Sequence, residues 1–169
     1  MCSARIERRQ AVRALILCES DESVLLLRMR RPDDPGHFWL LPGGGVKPDE
    51  GRLDALRREV REETGLSLPG VPCLLWRRVH RFRRGHDENS RVTEQHEDIY
   101  LVRTPAFEPT ARNNPDPSEV GIFHEFRWWT VEALRKATAT DQFAPRALPR
   151  LVDGLVANGP PSRPMSLSD

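Results

Sequence analysis

Glu59, Glu62 and Glu63 stand three and four residues apart, shortly after the glycine run Gly43-Gly44-Gly45. On an α-helix, positions i, i+3 and i+4 share one face, so these carboxylates project into a common arc. Like charges at that spacing repel and weaken a free helix. A hard divalent cation, which takes oxygen ligands, is the natural group to offset them. The glycines ahead of the helix permit backbone angles that other residues avoid, and they let a substrate or metal approach main-chain atoms closely.

The elements that must position this cluster are legible in the flanking pattern. A helix is expected from about Glu50 to Thr64, with Asp49 or a neighbour as its capping residue and Leu53, Leu56 and Val60 as its core-facing stripe. Gly65 supplies the stop. Ala11 to Cys18 and Val24 to Met29 read as a strand hairpin, followed by a loop over Arg30 to His37 and a short extended piece at Trp39 to Leu41. Further strands are expected at Cys73 to Phe82, Val92 to Val102 and Phe126 to Val131. A polar loop over Arg84 to Ser90 and a proline-rich connection over Pro105 to Pro117 separate them. A short helix begins near Val131 and another covers about Pro145 to Ala157. Strands with helices before and after the sheet point to an α/β class, an α/β/α sandwich. Residues 1–9 are expected to be flexible and residues 158–169 to form a disordered tail, which leaves 10–157 as the domain.

Gly44, Glu50, Arg58, Glu59, Val60, Glu62, Glu63, Gly65 and Leu66 fill the pattern G-x5-E-x7-R-E-U-x-E-E-x-G-U, where U is aliphatic. The segment resembles the signature of the Nudix hydrolases. Phe38-Trp39-Leu40-Leu41-Pro42-Gly43 resembles the family's usual approach to this box, and Glu125-Phe126-Arg127-Trp128-Trp129 resembles a late strand. The resemblance implies a mixed β-sheet between helices and cleavage of a diphosphate linkage by water, helped by Mg2+ or Mn2+. It assigns Glu59 and Glu63 as main metal ligands, Glu62 as a further ligand or water-positioning group, and the Gly43 carbonyl as a backbone ligand. Arg58 would pair with Glu50 to clamp the loop to the helix. Lys47 and Asp49 replace a glutamate and a glycine frequent in relatives, at positions the pattern leaves open. No triad signature suggests a serine or cysteine nucleophile.

Outside the box the residues are less specific. Arg81 lies in the basic stretch Arg77 to Arg84 and is a candidate for phosphate contact, although strand alternation sends those arginines to both faces. Glu125, Glu119 or Glu97 would supply a later carboxylate, and Phe143 stands where relatives place a base-contacting segment. Trp39, Trp76, Trp128 and Trp129 are candidates for base stacking, but tryptophans at strand ends are more often core. The family's markers for ADP-ribose and diadenosine polyphosphate hydrolysis fall on Arg81 and Arg83 and are not matched. Asp141-Gln142-Phe143 stands where oxidised-guanine readers carry an asparagine. A nucleoside triphosphate is therefore the default substrate, with a dinucleotide or nucleotide-sugar pyrophosphatase as the alternative. A nucleotide-sensing module without turnover and a prenyl diphosphate isomerase are the rival classes.

The chain has 169 residues and a formal charge of +1, enough for one domain with a proper core and no global case for nucleic acid or anionic membrane. Three cysteines with no C-x-x-C pair fit a reducing cytoplasm. No apolar run approaches the ~20 residues of a membrane helix. Homodimers are common in the family that the box resembles.

Overall fold

The computed structural model describes residues 6–30, 36–68, 70–83, 92–113 and 122–167. Its spine is β1 (Ile6–Cys18), which runs parallel to β6 (Val92–Thr104) over its whole length, from Ile6↔Val92 to Cys18↔Thr104. β5 (Cys73–Arg83) lies antiparallel on the far side of β6. The other edge of β1 changes partner along its length. Ala11, Val12 and Arg13 pair with Gly45, Gly44 and Gly43 of β4 (Gly43–Gly45), whereas Leu17 pairs with Val24 of β2 (Val24–Arg30). β3 (His37–Leu40) and β7 (Phe123–Trp129) both pair antiparallel with β2. The sheet is mixed, and it splits beside the glycine run.

Helices cover both faces. α1 (Arg52–Thr64) buries Ala55, Leu56 and Val60 against Val12, Ala14 and Ile16 of β1 and Tyr100 and Val102 of β6. α2 (Val131–Ala137) and α3 (Leu148–Asn158) cover the opposite face, where Leu15, Leu17, Ile99 and Leu101 meet Leu134, Leu148 and Val152. Successive residues of β1 and β6 thus enter different cores. That is why Ala14 to Cys18 of β1 and Ile99 to Val102 of β6 read as apolar runs and not as alternations. The α/β/α sandwich expected from the sequence is the observed architecture.

Several boundaries differ from the expectation. β1 starts at Ile6, so the expected flexible N-terminus of residues 1–9 is strand from that residue. Its first half is polar because its partner β6 answers it with charge, as in Arg8 to Glu94 at 3.3 Å. The C-terminal tail is likewise not without structure: β9 (Met165–Leu167) adds to the β5 edge, Met165 pairing with Trp76 and Leu167 with Arg78. α1 begins at Arg52 with Gly51 at the cap and no side-chain cap bond, so Asp49 is not its cap. Asp49 instead takes a left-handed turn, φ 63°. Thr130 caps α2 through its hydroxyl, which accepts from the Ala133 amide at 3.2 Å. The two-residue β8 (Phe143–Ala144), parallel to β3, has no signal in the sequence. The polar loop of residues 84–90 lies outside the described residues, as does Glu119.

Candidate active site

Where β1 passes from β4 to β2, the glycine run is pressed between the strand and the glutamate face of α1. Gly43 has φ 134°, and a Cβ there would lie 2.2 Å from the Val12 carbonyl oxygen. Only glycine fits. A Cβ on Gly44 would stand 2.6–2.7 Å from the Glu59 carboxylate, so that side chain fills the space which the missing Cβ leaves. The Gly43 amide donates to Glu63 Oε2 at 2.6 Å, and Glu63 is only 7% exposed.

Arg58 ties the rest together. Its Nε and Nη2 donate to the two oxygens of Glu50 at 2.8 and 2.9 Å, a bidentate pair. Nη2 also reaches the Gly45 carbonyl at 3.0 Å. Nη1 donates to Glu59 at 2.7 Å and to Glu62 at 3.4 Å. The hydrogen bonds from Arg58, helped by the Lys47 amide, hold the Glu50 carboxyl at about 2, and Glu50 in turn raises Arg58 further above its ordinary range. At the first turn of α1, Arg52 donates to buried Asp98 at 2.9 Å and to Gln10 at 3.2 Å, pinning the helix to both central strands.

The predicted box residues are therefore brought together: Glu59, Glu62 and Glu63, the Gly43 carbonyl, and the Glu50–Arg58 clamp all surround one loop. The donors are carboxylate and carbonyl oxygens alone, a set that suits a hard divalent cation. Among the described residues no three acidic, histidine or cysteine side chains close into a metal cage. Glu59 and Glu62 share Arg58, while Glu63 bonds the loop amide.

The candidates outside the box are dispersed. Arg81 forms a two-nitrogen contact with Glu94 at 2.7–2.9 Å, on the face of β5 opposite to Arg78 and His80. Glu125 is exposed and pairs with Arg28 at 3.0 Å. Phe143 is buried in the core, its ring 5.7 Å from that of Trp129. Trp39, Trp76 and Trp129 are also core, 2% exposed.

What the sequence reading passed over is the basic wall of the cleft. A cavity of about 150 Å3 opens beside the loop, lined by Arg9 and Arg13, by Gly43, Gly44 and Glu63, and by the apolar side chains Leu27, Met29, Leu40 and Leu41. Arg13 was visible as the one charged residue inside the run Ala11 to Cys18. Glu97 sits behind it, 4% exposed, accepting from Arg13 at 3.2 Å, Arg78 at 3.0 Å and Gln95 at 2.7 Å. Burial alone would raise the Glu97 carboxyl, but Arg13, Arg78 and His80 together hold it at about 2.

The fold is a mixed-sheet α/β/α sandwich in which the glycine loop and the glutamate helix meet where the sheet splits. The NUDIX domain family model matches residues 7–151, and the chain belongs to that family, whose members are pyrophosphohydrolases that generally use divalent metal ions. The human protein described as m7GpppN-mRNA hydrolase NUDT17 is 32% identical over 153 residues, 80% of this chain and 44% of that protein. Nucleoside triphosphatase NudI of Escherichia fergusonii is 48% identical over 63 residues, 36% of this chain and 43% of its own. The chain thus spans less than half the length of these relatives. The structure of the MutT protein from Methanosarcina mazei Go1 superposes with a TM-score of 0.62 at 24% identity, covering 89% of this chain and 96% of its own.

Proposed function

We propose that the chain is a Mg2+-dependent hydrolase that cleaves the diphosphate linkage of a nucleoside diphosphate derivative, with nucleoside triphosphates as the leading substrates. The observation that carries this reading is the convergence of Glu59, Glu62 and Glu63 on the Gly43–Gly45 loop, fastened by Arg58 and Glu50. Glu59, Glu63 and the Gly43 carbonyl would hold the cation, with Glu62 beside them. When bound, Mg2+ or Mn2+ offsets phosphate charge and acidifies water. The chain's own contribution is geometric. Arg58 keeps Glu59 and Glu62 beside the loop, and the buried Glu63 carboxylate is aligned by the Gly43 amide. Glu62, the most accessible of the three at 19% side-chain exposure, orients the attacking water. The free thiols of buried Cys18 and exposed Cys73 suit a reducing cytoplasm.

A second reading, hydrolysis of a capped nucleotide, is favoured by a relative that aligns over most of the chain, the human protein described as an m7GpppN-mRNA hydrolase. One experiment separates these. The protein is incubated with Mg2+ and NTPs, dNTPs, ADP-ribose, dinucleoside polyphosphates and m7GpppN, and product release is measured for each. Turnover of NTPs above all others supports the first reading, and preference for m7GpppN supports the second. Tight binding with no turnover of any member would sink both in favour of a sensing module.

A further inference from the structure

We propose that Arg13 is a phosphate-binding residue of the cleft, its guanidinium fixed by Glu97 and by the loop so that Nη2 is left to receive an oxyanion of the substrate. The inference rests on the reading of the site as one that handles nucleotide phosphates. A guanidinium in the middle of a central strand, flanked by fully buried Val12 and Ala14, is costly unless its donors are matched. Nε donates to Glu97, and Nη1 donates to the Leu41 and Gly43 carbonyls. Among the described residues Nη2 has no partner, and Arg13 lines the cavity.

The geometry is that of a preset receptor. A guanidinium is planar, so fixing Nε and Nη1 also fixes Nη2, which a flexible ammonium cannot reproduce. The anchor is itself rigid, because Glu97 is buried, stays ionised near neutral pH, and is braced by Arg78 and Gln95. Arg9 lies on the same face of β1, two pleats away, with its guanidinium against Gly45. Arg13 and Glu63 grip opposite ends of Gly43, one its carbonyl and the other its amide. An anion seated there would lie beside the carboxylates of the proposed cation site, and the apolar wall of Leu27, Met29 and Leu40 would be free for a less polar part of the substrate. In this scheme Arg13 touches substrate, and Glu97 is a positioning residue acting through it.

The test measures binding without turnover. Wild type, R13K, R13A and E97Q are titrated with α,β-methylene-ATP and with inorganic pyrophosphate in Mg2+, and separately with Mn2+ alone. The expected result is a tenfold or greater loss of affinity for both anions in R13A and R13K, with Mn2+ affinity not reduced, because Arg13 donates to the Gly43 carbonyl and its removal leaves that proposed cation ligand free. E97Q should raise KM more than it lowers kcat. If R13A melts at the assay temperature, R13K carries the comparison, because it keeps the charge and loses only the fork. Anion affinity unchanged in R13K, or Mn2+ affinity falling in parallel, would overturn the inference and leave Arg13 as a loop support. Binding through Arg13 by a wild-type protein that turns nothing over would instead overturn the hydrolase reading alone.

Discussion

The five charged residues around Gly44, Glu50, Arg58, Glu59, Glu62 and Glu63, act as a unit, because they hold one another and the loop in place. Glu63 is aligned by a backbone amide that only a glycine at position 43 can present in this conformation, and its carboxylate cannot be replaced by a neutral amide without losing the charge that a cation needs. Glu63→Gln is therefore expected to lower Mg2+-dependent hydrolysis by orders of magnitude while shifting the melting temperature little; activity within tenfold of wild type would place the site elsewhere. Gly44→Ala acts differently. Its Cβ would stand 2.6–2.7 Å from the Glu59 carboxylate, so the side chain must move off the loop. Isothermal titration with Mn2+ should show weaker binding in a folded protein, whereas an unchanged affinity would show that Glu59 is free to ligate from another position. The clustering of these carboxylates was legible in the sequence because i, i+3, i+4 spacing on a helix is local geometry, while their separate roles are what the resemblance to the box implies. Arg13 was not legible in this way, and Glu97 stood out only as one candidate for a later carboxylate, since their pairing joins residues 84 apart in the chain.

At the scale of elements, α1 places its glutamates only because its other face is anchored. Leu56 is fully buried between β1 and β6, and Leu56→Ala should cost about 2–5 kcal/mol, measured by denaturant unfolding. The stop of the helix is equally specific. Gly65 has φ 77°, and a Cβ there would meet Thr110 Cγ2 at 2.8 Å. Gly65→Ala should destabilise by about 1–2 kcal/mol from the left-handed backbone alone; a melting temperature equal to wild type would show that the turn relaxes freely. The helix stripe and its stop were read correctly from periodicity. The helix starts at Arg52, slightly later than expected, because Asp49 takes a left-handed turn ahead of it and Glu50 folds back onto Arg58, which leaves Gly51 at the cap. β8 and β9 were invisible for another reason. Strands of two and three residues owe their existence to the edges they pair with, and no local pattern records that.

For the whole molecule, several carboxylates tie distant parts of the fold together, among them Glu50, which joins loop to helix, and Glu97, which joins β1, β5 and β6. Both are held at about 2, below the ordinary 4.5. A depressed folded-state value stabilises the fold above the unfolded value, and that contribution is lost as pH falls from about 4.5 toward 2. Melting temperature should accordingly drop across this window. The drop should be shallower in E97Q, which starts from a lower plateau at pH 6; parallel curves for the two proteins would show that Glu97 is not a major source of acid sensitivity. The sequence by itself determined the class of this protein, the helix that carries the glutamates and the loop that faces them, because all of these lie within 24 consecutive residues whose spacing is set by helical geometry and glycine stereochemistry. Only the tertiary structure decided what stands opposite. The parallel pairing of β1 with β6, and the passage of β1 from β4 to β2, bring Arg9, Arg13 and Glu97 to the loop and open the cleft there, since strand pairing across the sheet depends on contacts that no stretch of sequence contains.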